Sequence, residues 1–191
     1  MSIVQDTRTV VTLDLDETLI HSQSIGNGNI MVHIRGGTIP LLEYCFLNPV
    51  WIRVVFWTLG TKSYATNILK ILGGTCRVPM TYDLMTPDDG YVGPKSIARV
   101  ASFLGVDPNF IIAVDDNLTN YAGDDNVFRV TPYDMSMILL RTPDHDLFNF
   151  LLMLKMLIPY QPGPVYQVTQ SESSETTETS FTTSEDSSIE P

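Results

Sequence analysis

Two short apolar runs that each stop on carboxylates constrain this chain more than any other feature. The first reads Val10-Val11-Thr12-Leu13 and then Asp14-Leu15-Asp16-Glu17-Thr18. The second reads Ile111-Ile112-Ala113-Val114 and then Asp115-Asp116-Asn117. Continuous apolar, β-branched runs of this length suit central strands covered on both faces. In open α/β sheets, ligands bind in the crevice at the carboxyl ends of such strands. Four carboxylates converging there would repel one another unless a cation lay between them. Oxygen donors without a His/Cys cluster favour a hard ion, Mg²⁺ rather than Zn²⁺. One Asp-x-Asp alone is ordinary loop chemistry; two acidic clusters on two apolar strands point to a site.

The stretches between and beyond these runs alternate strand and helix signals. Residues 30–34 read as a strand, preceded by the hairpin-turn residues Gly26-Asn27-Gly28-Asn29. A helix is expected over 39–46, a strand over 51–57, and a helix over 61–72 with Tyr64, Ile68, Leu69 and Leu72 on one stripe and Gly73-Gly74 as its stop. Residues 75–93 read as short strands around the turn Pro87-Asp88-Asp89-Gly90. The next helix is expected over 94–104, with Pro94 in its first turn, followed by strands over 110–114 and 127–130. Residues 145–158 form a helix that is apolar nearly all round. It is too short to span a bilayer, so a buried helix is expected rather than one lying on a membrane. This alternation implies an α/β fold: a Rossmann-like three-layer sandwich around a mostly parallel sheet.

Composition sets the bounds of that domain. The chain has 191 residues, 43% of them apolar, which excludes whole-chain disorder and allows one ordinary domain with a sizeable core. Its formal charge is −11, but six of its 22 acids fall in residues 161–191, which hold no Lys or Arg and are rich in Ser and Thr. That segment is expected to be a disordered acidic tail, with the folded domain spanning 1–160 at 16 acids against 11 bases. The acidity argues against nucleic acid or an anionic membrane as a partner. Cys45 and Cys76 have no metal-ligand spacing, and the polar N-terminus lacks the order of a signal peptide. A reduced intracellular protein, not a secreted one, is expected.

A carboxylate–metal site without a glycine-rich phosphate loop needs other groups to hold an anion. Thr58, after the strand Val54-Val55-Phe56-Trp57, and Lys95, expected at a helix N-terminus, are the candidates. Taken singly, Thr58 reads equally as a helix N-cap and Lys95 as a solvated lysine. His21, His33 and His145 share no spacing, and Ser22 lies in no nucleophile elbow.

The residues also carry a family likeness. Asp14-Leu15-Asp16-Glu17-Thr18-Leu19 resembles the nucleophile motif of the haloacid dehalogenase superfamily, in the form typical of phosphatases acting on the RNA polymerase II C-terminal domain. Arg35-Gly36-Gly37 with Leu42-Glu43, Thr58-Leu59-Gly60 with Tyr64-Ala65, Lys95, and Asp115-Asp116-Asn117 are similar to its further segments, in order, from about residue 9 to 158. The resemblance implies a haloacid dehalogenase fold with a small insert and no large cap. It implies a Mg²⁺-dependent phosphomonoesterase acting through an aspartyl-phosphate. Asp14 would be the nucleophile and Asp16 the general acid and base. Thr58, Leu59 and Lys95 would bind the phosphoryl group, and Thr18 and Asp115 would orient. Asp14, Asp116 and the Asp16 carbonyl would hold the metal, with Asp115 and Asp116 able to exchange their parts. A phosphoserine or phosphothreonine protein is the substrate the family suggests. A nucleotide or polynucleotide-end phosphatase and a non-catalytic binding protein are the alternatives. Leu59 in place of a small residue, the added Gly93-Pro94 before Lys95, and Asp83, Asp88 and Asp89 in the insert depart from the family pattern.

Overall fold

The central strand β1 (Thr9–Leu13) has four fully buried positions of five because both of its faces are covered. The structure, a computed structural model, describes residues 6–91, 93–121 and 126–158. All of them belong to the unit formed by residues 1–161; a second unit, 162–191, which includes most of the expected tail, lies outside the described residues. After β1 the chain runs through a hairpin of β2 (Ile20–Gly26) and β3 (Asn29–Ile34), then α1 (Thr38–Leu47), β4 (Ile52–Trp57), α2 (Lys62–Thr75) and β5 (Tyr82–Met85). It continues through α3 (Ile97–Leu104), β6 (Ile111–Asp115), β7 (Val127–Arg129), α4 (Met135–Leu140) and α5 (Asp146–Leu157). The five-stranded sheet has the order β5-β4-β1-β6-β7, and every pairing in it is parallel.

The pleat divides the core in two. Val11 and Leu13 of β1, Val54 and Phe56 of β4, and Val114 of β6 pack with α1, α2 and α5 on one face. Val10, Val55, Trp57, Ile111 and Ala113 pack with Ile97 and Val100 of α3 on the other. Continuous apolar strands with helices on both faces make the three-layer α/β sandwich expected from the alternation. The chain builds outward from β1 through β4 to β5, then returns to place β6 on the far side of β1. The switch point therefore lies between β1 and β6, the two strands that end in carboxylates.

Several local expectations are corrected. Gly73-Gly74 does not stop α2, which runs on to Thr75, where the Cys76 N–H bonds back to Leu72. Intrahelical hydrogen bonding outweighs the glycines' modest helix penalty of about 1 kcal/mol each. Helix α3 begins at Ile97, so Lys95 is not at a helix N-terminus; it lies in extended chain that bridges Tyr121, with its N–H donating to the Asn120 carbonyl at 2.6 Å. Helix α5 buries Leu147, Phe150, Leu151 and Leu154 but exposes Phe148, Leu152, Met156 and Leu157, so it is covered on one face and open on the other. Helix α4 had no apolar periodicity to mark it; Asp134 caps it by accepting from the N–H groups of Ser136 and Met137. Among the described residues, no helix is long and apolar enough to cross a membrane.

Candidate active site

The carboxyl ends of β1, β4 and β6 open onto a cavity of about 280 Å³ lined by Asp14, Asp16, Thr58, Leu59, Asp116 and the asparagines Asn117 and Asn120, among others. Asp14 follows β1 directly, and its N–H donates to the Val114 carbonyl at 3.1 Å, extending the β1–β6 pairing to the site. The chain then turns sharply: Glu17 takes a left-handed φ of 58°, rare outside glycine, and its N–H bonds to the Ile20 carbonyl at 2.7 Å. This turn places the Thr18 hydroxyl against the segment after β6. It accepts from the Asp116 N–H and donates to Asp116 Oδ1, both at 3.0 Å.

The fully buried Lys95 is the electrostatic centre of the site. Its Nζ donates to Asp14 Oδ1 at 2.7 Å and to Asp115 Oδ2 at 2.6 Å. Burial alone would lower its pKa, but the charges of Asp14 and Asp115 more than offset that and hold it above the usual lysine value. Burial pushes the Asp14 carboxyl up to about 7, with Lys95 opposing and Asp115 and Asp116 adding to the rise. Asp116 is likewise raised, first by burial and then by Asp115, against the hydrogen bond from Thr18.

Asp14, Asp115 and Asp116 each offer a carboxylate oxygen, and these lie within 4.8 Å of one another. An oxygen-only donor set of this kind fits a hard divalent cation. The three acids are not equally available, however. Asp115 spends Oδ2 on Lys95 and Oδ1 on the Asn117 N–H at 2.8 Å. Asp116, half-buried in the cavity wall, keeps an oxygen beyond its Thr18 contact. The adjacent acids thus differ in surroundings: Asp115 is the partner of Lys95, and Asp116 faces the cavity.

Thr58 is buried just beyond β4, and its hydroxyl accepts from the Gly60 N–H at 3.0 Å; the N-cap of α2 is Thr61 instead. Leu59, half exposed, stands on the cavity rim. The acids of the insert are paired rather than free. Asp83 binds Arg53, Asp88 accepts from the Lys62 N–H, and Asp89 binds the Lys62 side chain. The polar contacts of Tyr64, read as a stripe residue and as part of the family segment after Thr58 but given no role, and those of Ser22 were not foreseen from the sequence. The Tyr64 hydroxyl donates to Asp16 Oδ1, and Ser22 Oγ lies 3.2 Å from the same oxygen.

A family model described as NLI interacting factor-like phosphatase matches residues 9–162, most of the chain. The chain belongs to this family. An RNA polymerase II C-terminal domain phosphatase of Schizosaccharomyces pombe is 28% identical over 78 residues, covering 41% of this chain and 10% of that protein. This chain therefore matches only about a tenth of that relative's length. Its fold is that of Fcp1, an essential RNA polymerase II CTD phosphatase, with a TM-score of 0.55, 18% identity, and 81% of this chain and 52% of that one covered. Fission yeast Fcp1 bound to beryllium fluoride gives a TM-score of 0.54 at 20% identity, covering 76% of this chain and 46% of that one. The family match and the likeness in fold bear out the resemblance read from Asp14 to Leu19 and its further segments.

Proposed function

We propose that this chain is a Mg²⁺-dependent phosphomonoesterase that acts through an aspartyl-phosphate on Asp14, with phosphoserine or phosphothreonine in a protein as its substrate class. The observation that carries this reading is Lys95 held on one oxygen of Asp14, which leaves the second for attack in a cavity walled by Asp16, Thr58 and Asp116. That oxygen attacks phosphorus as the ester P–O bond breaks, and the Asp16 carboxyl gives its proton to the departing oxygen. Asp16, now a carboxylate, then takes a proton from water as the water oxygen displaces Asp14 and releases inorganic phosphate. The Thr58 hydroxyl, which already accepts from Gly60, has its own hydrogen to donate to a phosphoryl oxygen, and Lys95 offsets the charge that develops there. The carboxylates of Asp14 and Asp116 with the Asp16 carbonyl would hold Mg²⁺, which when bound supplies further positive charge beside the phosphoryl oxygens.

The substrate class rests on access. Beyond the sheet and its helices, the described residues add the β2–β3 hairpin and connecting loops, which suits a bulky phosphoprotein. The domain at 1–160, the intracellular location and the acidic tail from 161 belong to the same reading.

The test is hydrolysis of p-nitrophenyl phosphate by the full chain with and without Mg²⁺, beside Asp14→Asn. Metal-dependent turnover lost in Asp14→Asn is expected; equal rates in both proteins would leave only a binding role for the fold. Faster turnover of phosphoserine peptides than of nucleotides is expected next, and the reverse order would favour the nucleotide alternative.

A further inference from the structure

Asp16 is held from behind the cavity by two hydroxyls that come from different elements. Tyr64 lies in the first turn of α2, which Thr61 caps by accepting from the Tyr64 N–H at 3.3 Å and Asp88 steadies by accepting from the Lys62 N–H at 2.6 Å. Its phenol donates to Asp16 Oδ1. Ser22, on β2, places Oγ 3.2 Å from Oδ1 and 2.8 Å from the Tyr64 hydroxyl. Among the described residues, Asp16 Oδ2 takes no hydrogen bond. The tyrosine ring is pressed onto the loop after Thr58: a Cβ added at Gly60 would stand 2.8 Å from ring Cδ1. Glycine at 60 is what lets an aromatic ring lie there, bridging the phosphate-side loop and Asp16.

We propose that Tyr64, seconded by Ser22, is the positioning residue that fixes which oxygen of Asp16 carries the transferable proton. A carboxyl oxygen has two in-plane lone pairs, so one that accepts from two hydroxyls, as Oδ1 does from Tyr64 and Ser22, has none left to bear the acid hydrogen. With Oδ1 so engaged, the proton sits on Oδ2, the oxygen left for the leaving group. When the ester P–O bond breaks, that proton passes to the leaving oxygen, and the resulting carboxylate keeps its hydroxyl donors. The inference rests on the phosphatase reading above and adds to it a device for acid catalysis.

Leaving-group chemistry separates this role from a structural one. An alkoxide leaving from phosphoserine needs a proton in the transition state, whereas nitrophenolate leaves largely without one. The experiment compares kcat/KM of the Mg²⁺-loaded full chain with Tyr64→Phe and Ser22→Ala, on a phosphoserine peptide and on p-nitrophenyl phosphate. Tyr64→Phe keeps the ring over Gly60 and removes only the hydroxyl. Its kcat/KM is expected to fall about tenfold further on the peptide than on the aryl ester, with Ser22→Ala shifting the same ratio less. In an Asp16→Asn background, Tyr64→Phe is expected to cost less than about twofold more, because it acts through Asp16. Equal losses on both substrates, or a full further loss in Asp16→Asn, would overturn the proposal. Should Tyr64→Phe fail to fold, an unchanged substrate ratio in Ser22→Ala overturns it alone. A wild-type chain inert on both substrates sinks the phosphatase reading itself, a result visible before any substitution is made.

Discussion

Lys95 has no exposed surface, and its ammonium is shared between Asp14 and Asp115. Taking the cation away leaves two buried carboxylates facing each other, a loss the side chain's length cannot repair. Lys95→Met is therefore expected to cost about 3–5 kcal/mol of stability, read as a lower urea midpoint of the metal-free protein; an unchanged midpoint would contradict this buried triad. The thiols differ just as sharply. Burial pushes Cys45 up to about 12, while Cys76 is only partly covered and is raised by burial and by Glu43. A raised pKa means less thiolate at pH 8, so alkylation of the native protein at that pH should modify Cys76 and spare Cys45 until the chain unfolds. At this scale the sequence showed residue types but not their partners. Asp115 and Asp116 are chemically identical in a string, and only the end of β6 gives one to Lys95 and the other to the cavity. Tyr64 fits an apolar stripe by spacing, while its hydroxyl contacts depend on β2, more than 40 residues earlier.

Among the elements, the tie between α5 and the turn after β1 matters most to the site. Arg35, buried after β3, pairs with Asp144 at 2.6 Å and Asp146 at 3.2 Å, and also donates to the Thr18 carbonyl at 3.1 Å. The Tyr133 N–H holds the Glu17 carbonyl at 2.7 Å from the same side. The C-terminal third of the domain thus clamps the strained turn that presents Asp16 and Thr18. Arg35→Met should destabilise the domain by about 3 kcal/mol or more and lower turnover through that turn. Matched urea curves and rates would check it, and full activity at full stability would refute the clamp. Strands were more legible than helix ends. Apolar runs bounded by Asp or Trp-Thr state their own limits, whereas the end of α2 was decided by intrahelical bonding past Gly73-Gly74, and the start of α3 by the pairing of Lys95 with Tyr121. Helix α4 rests on one capping aspartate over six residues, too short to show a period.

For the whole molecule, the parallel sheet and the position of its site followed from two strands ending in acid, because a switch point draws such ends together. What the pattern could not show is that α5 leaves Leu152, Met156 and Leu157 uncovered, since an all-round apolar helix does not state which side meets its neighbours. Nor could it show that the acids of the insert are spent on Arg53 and Lys62 rather than facing a substrate. The central claim, phosphoryl transfer to Asp14, can be tested on the intact protein. The Mg²⁺-loaded chain is quenched in acid during turnover of a phosphoserine peptide, reduced with borohydride, and digested for mass spectrometry. Reduction converts an acyl phosphate on aspartate to homoserine, so homoserine at position 14 alone is the expected result. Turnover with position 14 unmodified, or with the phosphoryl group on any other side chain, would contradict the mechanism.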